Sequence, residues 1–531
     1  MTAPESDTTC IQEPKGDRGD KDDNSNDGNN DDENLATFSA VMASLRLDCL
    51  PTFALSIRAR GPGSDFTSSD NQPMQCTVLE RPLFGSYHIV YPLEFSDGVR
   101  WILKVPATGH RDRFDEMAAR ALTSEALTMR LLKRETTIPC PEVYLWDASL
   151  DNELHCPFIL MDYVAGIPLY DCWFDRNIPR DLLESRRKQI LRDLAKAMVQ
   201  MNQFAFSKGG APLFNEDGQL RSIGPMRNVD VNAMLVLTRD DDTADPDAVF
   251  CESGPFSDYK SFFLCMLDRR DAPPDEFSQG LYKLLRLFIN WISESDPQDE
   301  HGFVLTHPDL DIQNVIVSEE GSIQGLIDWD GVSAVPRCIG NDRYPSWLTR
   351  DWDEVCYRYS AGPECNKATL LENSPEELEK YRALYARFIE SSFNSTQCGG
   401  ATTTTPIDEA GEANLATGSF QRPWTRGSLL LENLQIAADD PVCTHTIMVR
   451  LFEEIKRVLK GNEDGNQLRS DLSTSLTGGD REDKVVGDES DNSDEASEPF
   501  LYETVCDLVA GEADPFLLDR IKSAFLELFS K

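Results

Sequence analysis

One stretch restricts this chain more than any other: Thr306-His307-Pro308-Asp309-Leu310-Asp311-Ile312-Gln313-Asn314, followed by Leu326-Ile327-Asp328-Trp329. The apolar runs Phe303-Val304-Leu305 and Val315-Ile316-Val317 bracket the polar loop, and Ser322 to Ile327 reads as a strand returning after a Glu320-Gly321 turn. Asp309, Asn314 and Asp328 therefore fall at strand ends, where the strands fix their separation and the loops converge on a ligand. Asp and Asn also suit ordinary turns, so the spacing acquires its meaning from the rest of the chain.

A carboxylate, an amide five positions on, and a second carboxylate after a short hairpin form a layout suited to phosphoryl transfer. That reaction asks for a group to receive a hydroxyl proton and for oxygen ligands that hold Mg²⁺ against the nucleotide phosphates. Asp309 suits the first task, and Asn314 and Asp328 the second.

The run His307-Pro308-Asp309-Leu310 to Asn314, then Ile327-Asp328-Trp329, resembles the catalytic and metal-binding motifs of the aminoglycoside phosphotransferase family, whose fold is similar to that of protein kinases. The resemblance implies an α+β chain in two lobes, a small, mainly antiparallel β lobe and a larger helical one. It implies ATP, with GTP as the alternative, as phosphoryl donor, Mg²⁺, and a small-molecule hydroxyl as acceptor. His307 is placed with Asp309 in the catalytic set. That family commonly carries Gly where this chain has Pro308, whose fixed φ and missing amide donor stiffen the loop.

Upstream segments extend the resemblance in order. Cys76 to Leu79, Tyr87 to Phe95, an Asp97-Gly98 hairpin turn and Trp101 to Val105 read as strands. Gly85 and Ser86 form the expected turn over the phosphates. Lys104 stands in a mostly apolar strand and needs a partner. Residues 112–134 read as a helix whose inward stripe, Leu122, Glu125, Met129 and Leu132, includes one acid, so Glu125 is the expected partner. In the family such a lysine contacts the nucleotide phosphates. The run Phe158 to Gly166 resembles the hinge strand, with Met161, Asp162, Tyr163 and Val164 facing the adenine through their backbone.

The organisation expected is a disordered acidic tail (1–40), a nucleotide-binding lobe (41–165), a catalytic lobe (166–395), a flexible insert (396–425), a further helix (426–460), a disordered acidic linker (461–498) and a closing helix (499–531). Helices are expected over 180–206, 256–294 and 346–395. The formal charge of −41 is concentrated in part in the tail and linker: residues 1–34 hold eleven acids against three bases, and residues 461–500 twelve against three. An acidic body disfavours nucleic acid and anionic membrane and permits a cationic acceptor, for which Asp342, Asp351, Asp353 and Glu354 are candidate lining groups or, equally, solvated helix ends. Fourteen cysteines without metal-ligand spacing suggest free thiols in a reducing compartment. No apolar run approaches the roughly 20 residues that span a bilayer, so a cytoplasmic protein is expected. A binding or scaffolding protein with the same fold is the alternative. Protein kinase activity is disfavoured, since no Ala-Pro-Glu signature follows Asp328 and Trp329 replaces the phenylalanine of Asp-Phe-Gly.

Overall fold

The computed structural model describes residues 37–60, 73–79, 81–234, 249–273, 275–295, 302–352, 357, 359, 372–398, 422–475 and 497–530. The expected tail up to residue 36, the Thr-rich run 402–405, Asp353 and Glu354 lie outside them.

The small lobe is a sheet of β1 (Cys76–Val78), β2 (Leu83–Phe84), β3 (His88–Phe95), β4 (Arg100–Pro106), β5 (Val143–Asp147) and β6 (Phe158–Asp162), antiparallel throughout in the order β1-β3-β4-β6-β5, with β2 also on β3. Gly98, at φ +83°, closes the β3–β4 hairpin where an L side chain is disfavoured. Two helices that the sequence patterns do not announce, α1 (Thr37–Ser44) and α2 (Leu50–Arg60), cover this sheet. They bury Phe38, Val41, Leu50 and Ala54 in a core shared with Ile89, Leu93, Leu103 and Leu160. Among the described residues no single helix is long and apolar enough to cross a membrane. A bent pair of 56° in this region meets that test only together, and its buried apolar side chains include Phe38, Val41, Leu50 and Ala54.

Helix α3 (Glu116–Glu135) opens with Asp115 accepting the Ala118 N–H at 2.8 Å. Its buried face, Leu122, Ala126, Met129 and Leu132, lies in a core that runs from Val143, Ile159 and Met161 of the small sheet into the large lobe. The chain enters the large lobe through β7 (Ile167–Pro168), α4 (Leu169–Trp173) and α5 (Arg180–Val199), then β8 (Ala205–Phe206). Two antiparallel hairpins follow: β9 (Ala211–Phe214) with β10 (Leu220–Gly224), and β11 (Met226–Val229) with β12 (Phe250–Ser253). Helices α6 (Tyr259–Leu267) and α7 (Glu276–Ser295) replace the single run expected over 256–294, since Ala272-Pro273-Pro274 cannot continue a helix.

Strands β13 (Phe303–Thr306), β14 (Val315–Val317), β15 (Ile323–Leu326) and β16 (Ser333–Pro336) fall into two small sheets. β13 lies between β16 and β8, and β14 between β15 and β7, so the two apolar runs that bracket the polar loop belong to different sheets. Residues 346–352 form short 3-10 turns that bury Trp347, Leu348 and Trp352, in place of the expected start of a helix. Helices α8 (Pro375–Cys398), α9 (Thr425–Asp439), α10 (Thr444–Ser475), α11 (Ser497–Ala510) and α12 (Pro515–Ser530) complete the lobe. α10 continues to Ser475, well inside the segment expected to be a disordered linker: once Ile447, Leu451, Phe452 and Ile455 fix the first turns in the core, adding further turns requires no new nucleation.

Candidate active site

Lys104 projects from the middle of β4, paired with Val90 of β3 and Ile159 of β6, and is 6% exposed. Its Nζ lies 2.6 Å from Glu125 on α3 and 2.6 Å from Asp328, which follows β15. Glu125 is 2% exposed, on the same stripe as Leu122, Met129 and Leu132. Burial works to lower the Lys104 pKa, but the carboxylates of Glu125, Asp328 and Asp330 outweigh it and hold the ammonium charged. Burial pushes Glu125 up, against the opposing pull of Lys104. For Asp328, burial acts upward while Lys104 and the neighbouring imidazoles act downward, leaving its carboxyl at about 2. Asp328 holds φ at +62°, a left-handed conformation that Asp tolerates better than most L residues.

The loop after β13 is organised by its own side chains. Asp311 accepts the Ile312 N–H at 2.8 Å and caps a short 3-10 turn, Ile312–Asn314. That turn brings Asn314 back onto Asp309, its Nδ2 donating to the Asp309 carbonyl at 2.9 Å and to Oδ2 at 2.8 Å. The amide oxygen of Asn314 is left as the acceptor end of the side chain. The Asn314 backbone carbonyl accepts the Ile327 N–H at 3.0 Å, which sets the loop in register with Asp328. Burial and the Asp311 charge raise the Asp309 carboxyl above its ordinary range.

His307 is held in the frame of the loop. Its side chain is fully buried, its Nε2 donates to the Ile327 carbonyl at 3.0 Å, and its ring lies 4.4 Å from that of Trp329. Burial drives its pKa down to about 4, so it is neutral near pH 7 and ties the loop to the Asp328 segment. Trp329 is buried beside it and donates its Nε1–H to the Leu326 carbonyl at 3.0 Å.

Gly85 and Ser86 are exposed at the tip between β2 and β3, with the Gly85 N–H on the His88 carbonyl at 2.9 Å. Part of the hinge run is engaged by the sheet. Met161 lies in the ladder opposite Ile102, the Asp162 N–H donates to Glu142 at 3.0 Å, and the Tyr163 N–H donates to Arg100 at 3.2 Å. The Asp162 carboxylate is held by Tyr144 and the Glu142 N–H. Of the four residues, Val164 is the one whose N–H no described hydrogen bond takes. Of the acids weighed for a cationic acceptor, the two described ones are engaged within the fold: buried Asp342 accepts the Trp424 N–H at 2.9 Å, and Asp351 pairs with Arg382 at 2.6 Å. Neither of these two is a solvated helix end.

Several members of the site carry no signal in the spacing. Asp330, two positions beyond Asp328, is held by both of its oxygens to one Arg227 nitrogen at 2.9 Å. His88, next to the glycine turn, lies 3.9 Å from Asp330. His88, Glu125 and Asp330 bring ligand atoms within 4.8 Å of one another, but Lys104 and Arg227 supply the positive charge there, so the cluster is an ion-pair network. Arg343 donates to the carbonyls of His307 at 3.3 Å and Pro308 at 3.1 Å, and pairs with Glu432 of α9 at 3.0 Å. The repeated acid in Asp328-Trp329-Asp330 is the one feature of this group visible in the sequence.

Residues 87–338 match the phosphotransferase enzyme family. Curated relatives named "Altered inheritance of mitochondria protein 9, mitochondrial" include that of Vanderwaltozyma polyspora, 22% identical over 61% of this chain and 57% of the relative, and that of Yarrowia lipolytica, 29% identical over 25% and 22%. The chain thus spans little more than half the length of the first of these and about a fifth of the second. Similar solved structures include a fructosamine-3-kinase of Thermobifida fusca (14% identity, 70% of this chain and 87% of that one, TM-score 0.34). Another is a thermostable aminoglycoside phosphotransferase mutant with AMP-PNP and hygromycin B (12%, 88% and 99%, TM-score 0.35). The relatives' names overturn the cytoplasmic expectation, because they are mitochondrial. Cys140 and Cys172 are buried free thiols. Over residues 87–338 this chain is thus similar to the phosphotransferase enzyme family, and its described residues form a two-lobed α+β fold.

Proposed function

We propose that this protein transfers the γ-phosphoryl group of ATP to a hydroxyl of a small molecule. The observation that carries the reading is Lys104 bridging Glu125 and Asp328, beside an Asp309 that Asn314 holds by two hydrogen bonds. In this reading Lys104, kept charged by its carboxylates, holds the nucleotide phosphates, and Glu125 positions it. Asp309, whose basicity is raised by burial, accepts the hydroxyl proton as the acceptor oxygen attacks. Asp328 and the amide oxygen of Asn314 suit Mg²⁺: one is a carboxylate that stays ionised and is half exposed, the other an oxygen not engaged by Asp309. Bound there, the ion would supply charge neutralisation between the phosphates.

The test combines nucleotide binding with turnover in wild type and Asp309→Asn. AMP-PNP with Mg²⁺ is expected to raise the melting temperature of both proteins, whereas ADP release across a panel of hydroxyl acceptors is expected to fall by about 10²- to 10⁴-fold in the variant. Equal turnover would remove Asp309 from its role. Absence of any nucleotide shift in wild type would favour a binding or scaffolding protein that keeps the fold without the chemistry.

A further inference from the structure

The β11–β12 hairpin contacts three parts of the candidate site at once. Arg227 of β11 holds Asp330, and the pair is largely buried, at 8% and 16% side-chain exposure. Phe250 of β12 lies under the Arg227 guanidinium at 4.3 Å and meets Tyr87, beside the glycine turn, edge-on at 5.7 Å. Glu252 of β12 pairs with Arg120 of α3 at 2.6 Å, while its own carbonyl is held by Arg269 at the end of α6. The hairpin is therefore anchored in the large lobe and reaches both the helix that carries Glu125 and the turn that precedes β3.

Charge explains why Arg227 matters at this point. Three carboxylates, Glu125, Asp328 and Asp330, surround the single ammonium of Lys104. Without a second cation, Asp330 would compete for that ammonium and draw it from Asp328 and Glu125. The guanidinium removes the competitor. Leu122, Ala126 and Met129 of helix α3 meanwhile share one continuous hydrophobic core with Met226 of the hairpin.

We propose that the β11–β12 hairpin is a built-in clamp on α3, with Arg227 as a positioning residue that acts through Asp330 and Glu252 as the tie to Arg120. The clamp keeps the Lys104–Glu125 contact assembled before any nucleotide arrives. The inference rests on the phosphoryl-transfer reading for its consequence, though not for its geometry. It gives the enzyme a site that needs no separate activating event to bring its helix glutamate inward.

The experiment uses the full chain without ligand, as wild type, Arg227→Met, Arg227→Lys and Glu252→Gln. Amide hydrogen exchange is followed along α3 and, as an internal reference, along α5, and AMP-PNP affinity is then measured with Mg²⁺. Arg227→Met is expected to speed exchange in α3 at least tenfold with α5 unchanged, and to weaken AMP-PNP at least tenfold. Arg227→Lys, which keeps the charge without the planar fork, is expected to recover part of both effects. Glu252→Gln is expected to speed α3 exchange in the same direction, and it decides the matter alone if Arg227→Met does not fold. Unchanged exchange in α3, or equal acceleration in α3 and α5, overturns the clamp. If α3 loosens as expected but wild type binds no AMP-PNP, the clamp stands and the phosphoryl-transfer reading fails.

Discussion

Lys104 and Asp328, 224 positions apart in the chain, lie 2.6 Å from each other with their charges intact. The pair joins β4 of the small lobe to the segment after β15 of the large one, so the contact that defines the site also fixes how the lobes meet. A single substitution separates its electrostatics from its backbone geometry. Asp328→Asn retains a residue type that tolerates the positive φ at this position, but loses the charge that attracts Lys104 and Mg²⁺. The variant is expected to fold, with a magnesium-dependent thermal shift from AMP-PNP that disappears. At 100 times the dissociation constant that shift corresponds to about 2.7 kcal/mol in wild type. An Asp328→Asn protein with an undiminished magnesium titration would remove Asp328 from the metal set.

Two largely buried imidazoles give the protein a defined response to acid. His88 and His307 are both pushed down to about 4, chiefly by burial. Between about pH 6.5 and 4 the unfolded chain binds protons that the folded histidines refuse, so their contribution to stability falls as pH drops through that window. Glu125 opposes this, because its raised pKa makes the folded state hold a proton longer than the unfolded one. The informative quantity is therefore the difference between wild type and His307→Gln. Their stability difference is expected to change by about 1.4 kcal/mol per pH unit inside the window and to level off above it. A constant offset from pH 4 to 7, read from urea unfolding, would show that His307 keeps an ordinary pKa.

The parts legible in the sequence share one physical property: they depend on neighbours a few residues away. The β3–β4 hairpin follows from alternating apolar residues and Asp97-Gly98, α3 from a helical stripe, and the Asp309–Asn314 contact from a loop short enough to fold onto itself. Glu125 was legible because an acid on an apolar stripe demands a partner, and Lys104 because an ammonium in an apolar strand demands one too. What the pattern leaves hidden is settled by long-range packing. Arg227 reaches Asp330 across 103 positions and Arg343 reaches Glu432 across 89, and neither arginine differs locally from a solvated one. The same holds for His307, whose place beside Asp309 suggests chemistry until the buried contact with Ile327 and Trp329 assigns it to the frame. α2 is amphipathic too weakly to be seen before the sheet it covers is in place.

Trp329 tests how much the frame depends on its polar contact. The ring is completely buried, and its Nε1–H satisfies the Leu326 carbonyl at the end of β15. Trp329→Phe keeps an aromatic body against His307 and leaves that carbonyl without its partner. A loss of about 1–3 kcal/mol is expected, from the unsatisfied acceptor and the smaller ring together. A variant as stable as wild type in chemical denaturation would mean that water or the backbone replaces the indole donor.

The Arg343–Glu432 pair links the loop that carries Asp309 to α9, and both side chains are nearly buried, at 12% and 11% exposure. Glu432→Gln leaves the guanidinium without its carboxylate, and Arg343→Met leaves the carboxylate without its guanidinium. Breaking a buried pair from either side is expected to cost about 3–5 kcal/mol. Arg343 has further partners in the carbonyls of His307 and Pro308, so its removal should be the more damaging and should also slow turnover, because the loop loses two of its restraints. Replacing both residues together should cost less than the sum of the single changes, with a coupling of about 1–3 kcal/mol in a double-mutant cycle. Strict additivity would show that the two side chains act separately, and a stable Arg343→Met protein with wild-type turnover would show that Asp311 and Asn314 organise the loop unaided.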